Sequence, residues 1–285
     1  MGINDARIFI LKVHRRILSY ILPWLFKLKC ALTKSEIVAF KLQDGSNFDY
    51  PLRSFIGYAL FCNDFEKNEI AFLRKSLKPG DVFLDIGANG GIYTVVASRQ
   101  VGNQGHVYAF EPGERELKLL RHNIQLNNLT NVTVIPCAVS DKSGVAKFAV
   151  VNDGALNSLA DLNRAEQEIE SWQTIHTMSV DDFIDKYSIP KVDFVKIDVE
   201  GAERLVLNGA KFLLRSDNTI TIMFEASDHN EAAFGYSAKQ LFFELTNLGL
   251  DIYYLDELNR LQNINDHNRK LGNRIYNFVA FNRCG

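Results

Sequence analysis

The chain has 285 residues, of which 47% are hydrophobic and 23% are charged, a composition typical of globular proteins with a buried core. This composition excludes a disordered chain, a collagen and a coiled coil. The formal charge of −2 is unevenly distributed, because residues 1–40 carry seven basic and two acidic side chains. The remaining residues are therefore net acidic, which argues against a nucleic-acid-binding protein, since such proteins present a basic surface.

The four cysteines are scattered along the chain as Cys30, Cys62, Cys137 and Cys284. They form no C-x-x-C pair, so the sequence predicts neither a zinc site nor a disulfide framework. Free thiols are typical of a reducing compartment, and we expect a cytoplasmic protein.

Residues 17–26 form an uncharged apolar run of ten residues, which is shorter than the roughly 18 needed to span a bilayer. Apolar residues recur at helical spacing, basic residues lie on both sides, and Pro23 is expected to kink the helix. Two interpretations remain open: a helix that packs on the body or on a second subunit, and a basic amphipathic helix on an anionic membrane surface. Residues 1–60 are thus predicted to be an N-terminal helical extension, and residues 61–285 the main domain.

From residue 80 onward, short β-branched runs alternate with longer helical patterns. The predicted strands are Val82–Ile86, His106–Glu111, Val132–Val139, Phe194–Val199 and Thr219–Glu225. The predicted helices are Ile92–Gln100, Glu114–Asn127, Ala202–Leu213 and Ser237–Leu248. This alternation predicts an α/β fold with a mostly parallel sheet and helices on both faces.

Two further segments complete the predicted domain. Asp251–Leu255 and Arg274–Asn282 are separated by a polar stretch and are expected to pair as an antiparallel hairpin. The polar insertion Asn152–His176 has the length of a lid or binding loop, and its Asn157 and Ser158 are candidates for contacting a polyhydroxylated acceptor.

A glycine-rich turn follows the first predicted strand, in the run VFLDIGANGG over residues 82–91. It is neither the dinucleotide fingerprint G-x-G-x-x-G nor a P-loop, since Asn89 and Ile92 stand where the fingerprint has glycines. Glu111 lies 20 residues beyond Gly91, the spacing that places a carboxylate on ribose hydroxyls. Asp85 suits an ammonium or sulfonium group, so these residues together predict an S-adenosylmethionine site.

The segments DVFLDIGANGGIYT, VYAFEP, VIPCAVSD, VDFVKIDVEGAE and MFEAS occur in this order. Over residues 65 to 250 the chain resembles the FkbM family of class I S-adenosylmethionine-dependent methyltransferases. The resemblance implies a Rossmann-like sheet of seven strands with an antiparallel last strand. It also implies that Asp85, Gly87, Asn89, Gly91 and Thr94 surround the methionine part of the cofactor, Glu111 the ribose and Ala138 the adenine. Gly90 departs from the family, which usually has a larger aliphatic residue there, and we expect a more flexible turn.

The fourth predicted strand ends in an acidic cluster. Asp198 and Glu200 lie two residues apart, and Glu225 ends the neighbouring strand with His229 on the adjacent loop. Asp198, Glu225 and His229 are candidates for the base that removes a proton from an acceptor hydroxyl, and Glu200 joins them in the catalytic set. Two alternatives remain open: acids such as Glu203 stabilise a helix N-terminus, and oxygen ligands suit magnesium, although no metal is predicted.

The function expected from the residues and the resemblance is methyl transfer from S-adenosylmethionine to a hydroxyl of a small molecule or sugar. The resemblance supplies the preference for oxygen. The alternatives are an N- or protein methyltransferase, and a cofactor-binding interaction module without catalysis. A homodimer and peripheral membrane contact through residues 1–35 are the other partners considered, and nucleic acid is not expected.

Overall fold

The computed structural model describes residues 21–151, 158–159, 169–215, 219–256, 258–264 and 276–282. The chain divides into two units, residues 1–65 and 66–285. Among the described residues, no helix combines the length and the apolar content needed to cross a membrane. The predicted boundary after residue 60 falls within a helix and stays a prediction.

The smaller unit combines helices with a two-stranded hairpin. Residues 21–32 form helix α1, the strands β1 (Ile37–Lys41) and β2 (Asn47–Pro51) pair antiparallel, and helix α2 is Phe55–Phe61. The ring of Phe26 in α1 lies 4.8 Å from that of Tyr58 and 5.3 Å from that of Phe61. One face of α1 therefore packs on α2. Residues 17–20 of the predicted apolar run lie outside the described residues.

The larger unit alternates helices and strands, as the sequence predicts. Its helices are α3 (Lys67–Ser76), α4 (Ile92–Val101), α5 (Glu114–Leu126), α6 (Val180–Tyr187), α7 (Glu203–Asn208), α8 (Lys211–Arg215), α9 (Asp228–Ala232) and α10 (Ala238–Asn247). Its strands are β3 (Val82–Ile86), β4 (His106–Phe110), β5 (Val132–Ile135), β6 (Ala138–Val139), β7 (Gly144–Val151), β8 (Ile169–Met178), β9 (Phe194–Ile197), β10 (Thr221–Ala226), β11 (Leu250–Leu255), β12 (Leu261–Asn263) and β13 (Tyr276–Asn282).

The main sheet has the strand order β12-β11-β13-β10-β9-β3-β4-β5. The strands β3, β4, β5, β9 and β10 are parallel, and β13 runs antiparallel between β10 and β11. The α/β, Rossmann-like fold with its antiparallel last strand is thus confirmed, as is the predicted pairing of the two C-terminal segments. The predicted count of seven is corrected to eight described strands, because residues 261–263 pair with β11 as an edge strand.

Helices cover both faces of the main sheet. On one face, Phe72 of α3 contacts Phe194, which packs on Phe83, and Leu120 of α5 packs on Ala109. The opposite face forms the largest core with residues of α6, α7, α8 and α10. Burial of these apolar faces supplies most of the driving force for folding.

Three predicted elements need correction. The strand Val132–Val139 is divided into β5 and β6, which belong to different sheets, because Pro136 between them has no N–H to donate to a ladder. The helix Ala202–Leu213 is divided at Gly209, where a Cβ atom would lie 2.2 Å from the Ser140 carbonyl oxygen. The last part of the insertion 152–176 is strand rather than loop, since β8 begins at Ile169 and pairs antiparallel with β7.

Candidate active site

The register of three parallel strands brings four polar side chains to one face of the sheet. Asp85 of β3 pairs with Lys196 of β9, and Lys196 pairs with Met223 of β10. Because side chains two residues apart share a face, Asp198 and Glu225 follow on the face of Asp85 and Lys196. This edge, at the carboxyl ends of the strands, is where open α/β sheets bind their ligands.

Asp85 is buried, and its two carboxylate oxygens have different surroundings. Oδ2 accepts a hydrogen bond of 2.5 Å from the hydroxyl of Thr94, which is fully buried in α4. Oδ1 is also buried and has no hydrogen-bond partner among the described residues. Burial raises the pKa of Asp85 to about 6, although the ammonium of Lys196 opposes this shift. A buried acceptor without a donor indicates a place for a ligand that carries N–H groups or positive charge.

The glycine-rich turn brings the ends of β3 and β9 into close contact. Gly87 has a φ of +84°, and a Cβ atom there would lie 1.9 Å from the carbonyl oxygen of Asp198, so a larger residue cannot be accommodated. Asn89 is also left-handed, with φ at 49°, and its Oδ1 accepts from the N–H of Gly90. Asn123 of α5 donates to the carbonyl oxygen of Gly90 over 2.8 Å. This bond holds the turn against α5 at the position where the sequence predicts a more flexible turn.

Glu111 follows β4 and links the glycine-rich turn to the start of α5. Its Oε2 accepts the N–H of Asn89 and its Oε1 accepts the N–H of Gly113, each over 2.8 Å. Burial raises the pKa of Glu111 to about 8, while the two N–H donors act in the opposite direction. Each carboxylate oxygen retains a further lone pair, so this orientation suits a hydroxyl donor such as a ribose.

Lys196 places a buried cation among these acids. Its side chain is 3% exposed, and its Nζ atom lies 2.6 Å from Oδ2 of Asp198 and 4.3 Å from the ring centre of Tyr93. The Tyr93 hydroxyl donates to Oε2 of Glu66 over 2.6 Å. Neighbouring carboxylates raise the pKa of Lys196 despite its burial, so the ammonium stays charged. Lys196 is not among the site residues predicted from the sequence, although a charged residue within a buried apolar strand signals a buried partner.

The predicted acidic cluster is formed. The carboxylate oxygens of Asp198, Glu200 and Glu225 lie within 4.8 Å of one another. Asn230 donates to Oε2 of Glu200 over 3.1 Å and to Oε2 of Glu225 over 3.4 Å. A single cation could contact all three carboxylates, as the magnesium alternative requires.

Glu225 has an increased tendency to hold a proton. Burial and the charges of Asp198 and Glu200 raise its pKa well above the ordinary value of a glutamate. Asp198, in contrast, is already bonded to an ammonium. Because an ionised carboxylate with a raised pKa is a better proton acceptor, this shift supports Glu225 as a candidate for the base.

Glu203 and Glu231 support the loops that carry these residues. Glu203 begins α7, and its Oε1 accepts the N–H groups of Val199 and Gly201. Glu231 accepts the N–H of Ser227 with both oxygens, which fixes the turn after β10. The interpretation of Glu203 as an acid at a helix N-terminus agrees with this position.

Glu203 also makes a pH-dependent contribution to stability. Burial raises its pKa to about 8, so the folded protein binds a proton that the unfolded chain releases near pH 4.5. We therefore expect the free energy of unfolding to decrease as the pH rises from about 5 to about 8. In Glu203→Gln, denaturant unfolding at several pH values should show a slope smaller by about 1.4 kcal/mol per pH unit. Glu114→Gln, an exposed acid in the first turn of α5, is the control, and an equal slope in Glu203→Gln and wild type would contradict the assignment.

Comparison with known proteins identifies the family of this chain. Residues 85–256 match the model of the methyltransferase FkbM domain. The chain belongs to the FkbM methyltransferase family. It is 29% identical over 189 residues to the hexuronic acid methyltransferase AglP of Haloferax volcanii, covering 65% of this chain and 74% of that protein.

Two further relatives have names that specify an oxygen acceptor. The chain is 30% identical to the 31-O-demethyl-FK506 methyltransferase FkbM of Streptomyces tacrolimicus, over 47% of this chain and 61% of that protein. It is 26% identical to the 2-O-methyltransferase NoeI of Sinorhizobium fredii, over 47% of this chain and 59% of that protein. The matched family segment contains Asp85, Glu111, Asp198 and Glu225.

The residues around the glycine-rich turn fit the S-adenosylmethionine that an FkbM methyltransferase uses. The unpartnered Oδ1 of Asp85 is suited to the ammonium or sulfonium of the methionine part. Thr94 supports this site through its bond to Asp85, and the lack of side chains at Gly87 and Gly91 lets the turn pack closely on Asp198 and Leu120. The contacts of all the predicted cofactor-binding residues stay predictions, including that of Ala138, which is buried at the start of β6, with adenine.

The remaining predicted site residues have different surroundings. His229 is exposed on α9, next to Asn230, whose amide contacts the acidic cluster. Its role as a base stays a prediction. Ser158 is buried, and its hydroxyl donates to the carbonyl oxygen of Glu200 over 3.3 Å, so it supports the cluster. Asn157 lies outside the described residues.

Proposed function

We propose that this FkbM methyltransferase transfers the methyl group of S-adenosylmethionine to a hydroxyl oxygen of a small molecule or sugar. The observation that carries the proposal is the placement of Asp85, Asp198 and Glu225 on one face of three neighbouring strands. Asp85 belongs to the part of the site that binds the cofactor. Asp198 and Glu225 supply proton acceptors beside it. The names of FkbM and NoeI, which specify oxygen positions, support the same acceptor atom.

The bound cofactor supplies an activated methyl group, which passes to the acceptor in an in-line displacement. The protein must then hold the acceptor oxygen close to the methyl carbon and take up the hydroxyl proton. Asp198, held by Lys196, is suited to accept a hydrogen bond from the acceptor. Glu225, whose pKa is raised by burial and by the neighbouring acids, is suited to take the proton. Glu200 and Asn230 orient the carboxylate of Glu225.

The first test of this proposal is calorimetric titration with S-adenosylmethionine, S-adenosylhomocysteine and NAD. The first two ligands should bind, and Glu111→Ala should weaken them at least about tenfold, because two hydroxyl donors lose a buried acceptor. Glu114→Ala, three residues further on and exposed, should bind like wild type. Preference for NAD, or unchanged affinity in Glu111→Ala, would contradict the cofactor assignment.

The second test identifies the acceptor atom. Purified protein is incubated with methyl-labelled S-adenosylmethionine and a panel of sugars, hydroxylated small molecules, amines and peptides, with magnesium or with a chelator. A labelled methyl ether would support the proposal. A labelled amine or protein would replace it with N- or protein methylation, and intact cofactor binding without any product would favour the interaction module.

A further inference from the structure

Helix α1 exposes an apolar stripe. Ile21, Trp24, Leu25, Leu28 and Leu32 are between 39% and 74% exposed. At about 100° of rotation per residue, these five positions fall within an arc of roughly 100°. A contiguous apolar stripe on an exposed helix is typical of a surface that binds a partner or a lipid interface.

The opposite side of α1 is held by its own unit. Phe26 contacts the rings of Tyr58 and Phe61, and Arg53 donates to the carbonyl oxygen of Cys30 over 2.8 Å. The helix is thus anchored on α2 with its stripe facing away from these contacts. Packing on α2, which belongs to the same unit, therefore accounts for Phe26 but leaves the stripe exposed.

The charges beside the stripe indicate which partner it fits. Lys27 and Lys29 are exposed and lie roughly a quarter turn to either side of its centre, and Lys34 follows the helix. Residues 21–34 contain no acidic side chain. Lysines beside an apolar face with a tryptophan are typical of helices that lie in the interface of an anionic bilayer.

We propose that the exposed face of α1 binds an anionic membrane surface, with its apolar stripe in the interface and its lysines at the lipid headgroups. The rest of the chain is net acidic, so an anionic surface attracts this segment and repels the body, which orients the protein. A symmetric dimer through the same face would bring the lysines of two copies together, and their repulsion disfavours that occupant.

The test is sedimentation of the full chain with vesicles of phosphatidylcholine alone and of phosphatidylcholine mixed with phosphatidylglycerol. Wild type should bind the anionic vesicles at least about tenfold more strongly, and Leu28→Glu or Trp24→Ser should lose most of this binding. Phe243→Ser, which removes an aromatic ring that is 67% exposed on α10, is the matched control and should bind like wild type. Thermal unfolding of each variant shows whether the fold is retained.

Three results would overturn the proposal. They are equal binding to both kinds of vesicle, retained binding in the two stripe variants, and a wild-type dimer that Leu28→Glu dissociates in sedimentation velocity. The last result would assign the face to contact between two copies. Vesicle binding and dimer formation are measured without methyl transfer. A failure of this proposal is therefore distinguishable from a failure of the proposed function.

Discussion

Replacing Glu225 with glutamine should lower the rate of methyl transfer by about 10²- to 10⁴-fold, the contribution of a positioned general base. Glutamine retains the size of the side chain and an oxygen that can accept from Asn230, but it cannot take up a proton. Affinity for S-adenosylmethionine should stay within about twofold, because the proposed function assigns Glu225 to the acceptor and not to the cofactor. The rate is measured as product formation at saturating cofactor with the acceptor found by screening.

The pH profile separates this role from a structural one. Because only the ionised carboxylate accepts a proton, the wild-type rate should rise with pH as Glu225 ionises, and this rise should be absent in Glu225→Gln. The control is Glu244→Gln, which alters a surface ion pair with Arg204 and should leave the rate and its profile unchanged. Full activity in Glu225→Gln would transfer the role of base to Asp198 or to the exposed His229.

The cofactor half of the site could be predicted from the sequence because its determinants are local. The glycine-rich turn after a buried strand, with an acid at or just after the end of each of two successive strands, specifies both the turn and the positions of Asp85 and Glu111. Strand pairing then follows from the alternation of strands and helices. The structure places Asp85 and Glu111 where the turn predicts them, with the carboxylate of Glu111 fixed by two backbone donors.

The acceptor half could be predicted only in part, because it depends on contacts between distant segments. Sequence spacing brings Asp198 and Glu225 to one edge, but it does not reveal that Asn230 lies between Glu200 and Glu225. The strand β8 is not predicted from the sequence, because its polar residues alternate with few apolar ones. Its pairing with β7 determines its structure instead. Strand pairing of this kind depends on tertiary contacts more than on local propensity.

Replacing Lys196 with methionine should lower the free energy of unfolding by roughly 3 kcal/mol, the effect of removing a buried cation from acids that it neutralises. The change retains an unbranched side chain on the ring of Tyr93 but leaves Asp198 and Asp85 without their nearest cation. Denaturant unfolding at constant pH measures the effect. Lys211→Met, an exposed lysine at the start of α8, should change the stability by no more than about 0.5 kcal/mol.

A double-mutant cycle shows whether this loss arises from charge. If the ammonium acts mainly on Asp198, Lys196→Met combined with Asp198→Asn should be less destabilised than the sum of the single changes by at least about 1 kcal/mol. Additive effects would instead assign the loss to the other neighbours of the ammonium, the buried Asp85 and the ring of Tyr93, since these interactions do not depend on the charge of Asp198. A coupled pair would mean that Lys196 stabilises the sheet edge mainly through its ion pair with Asp198, which lies beside Glu225 in the acidic cluster.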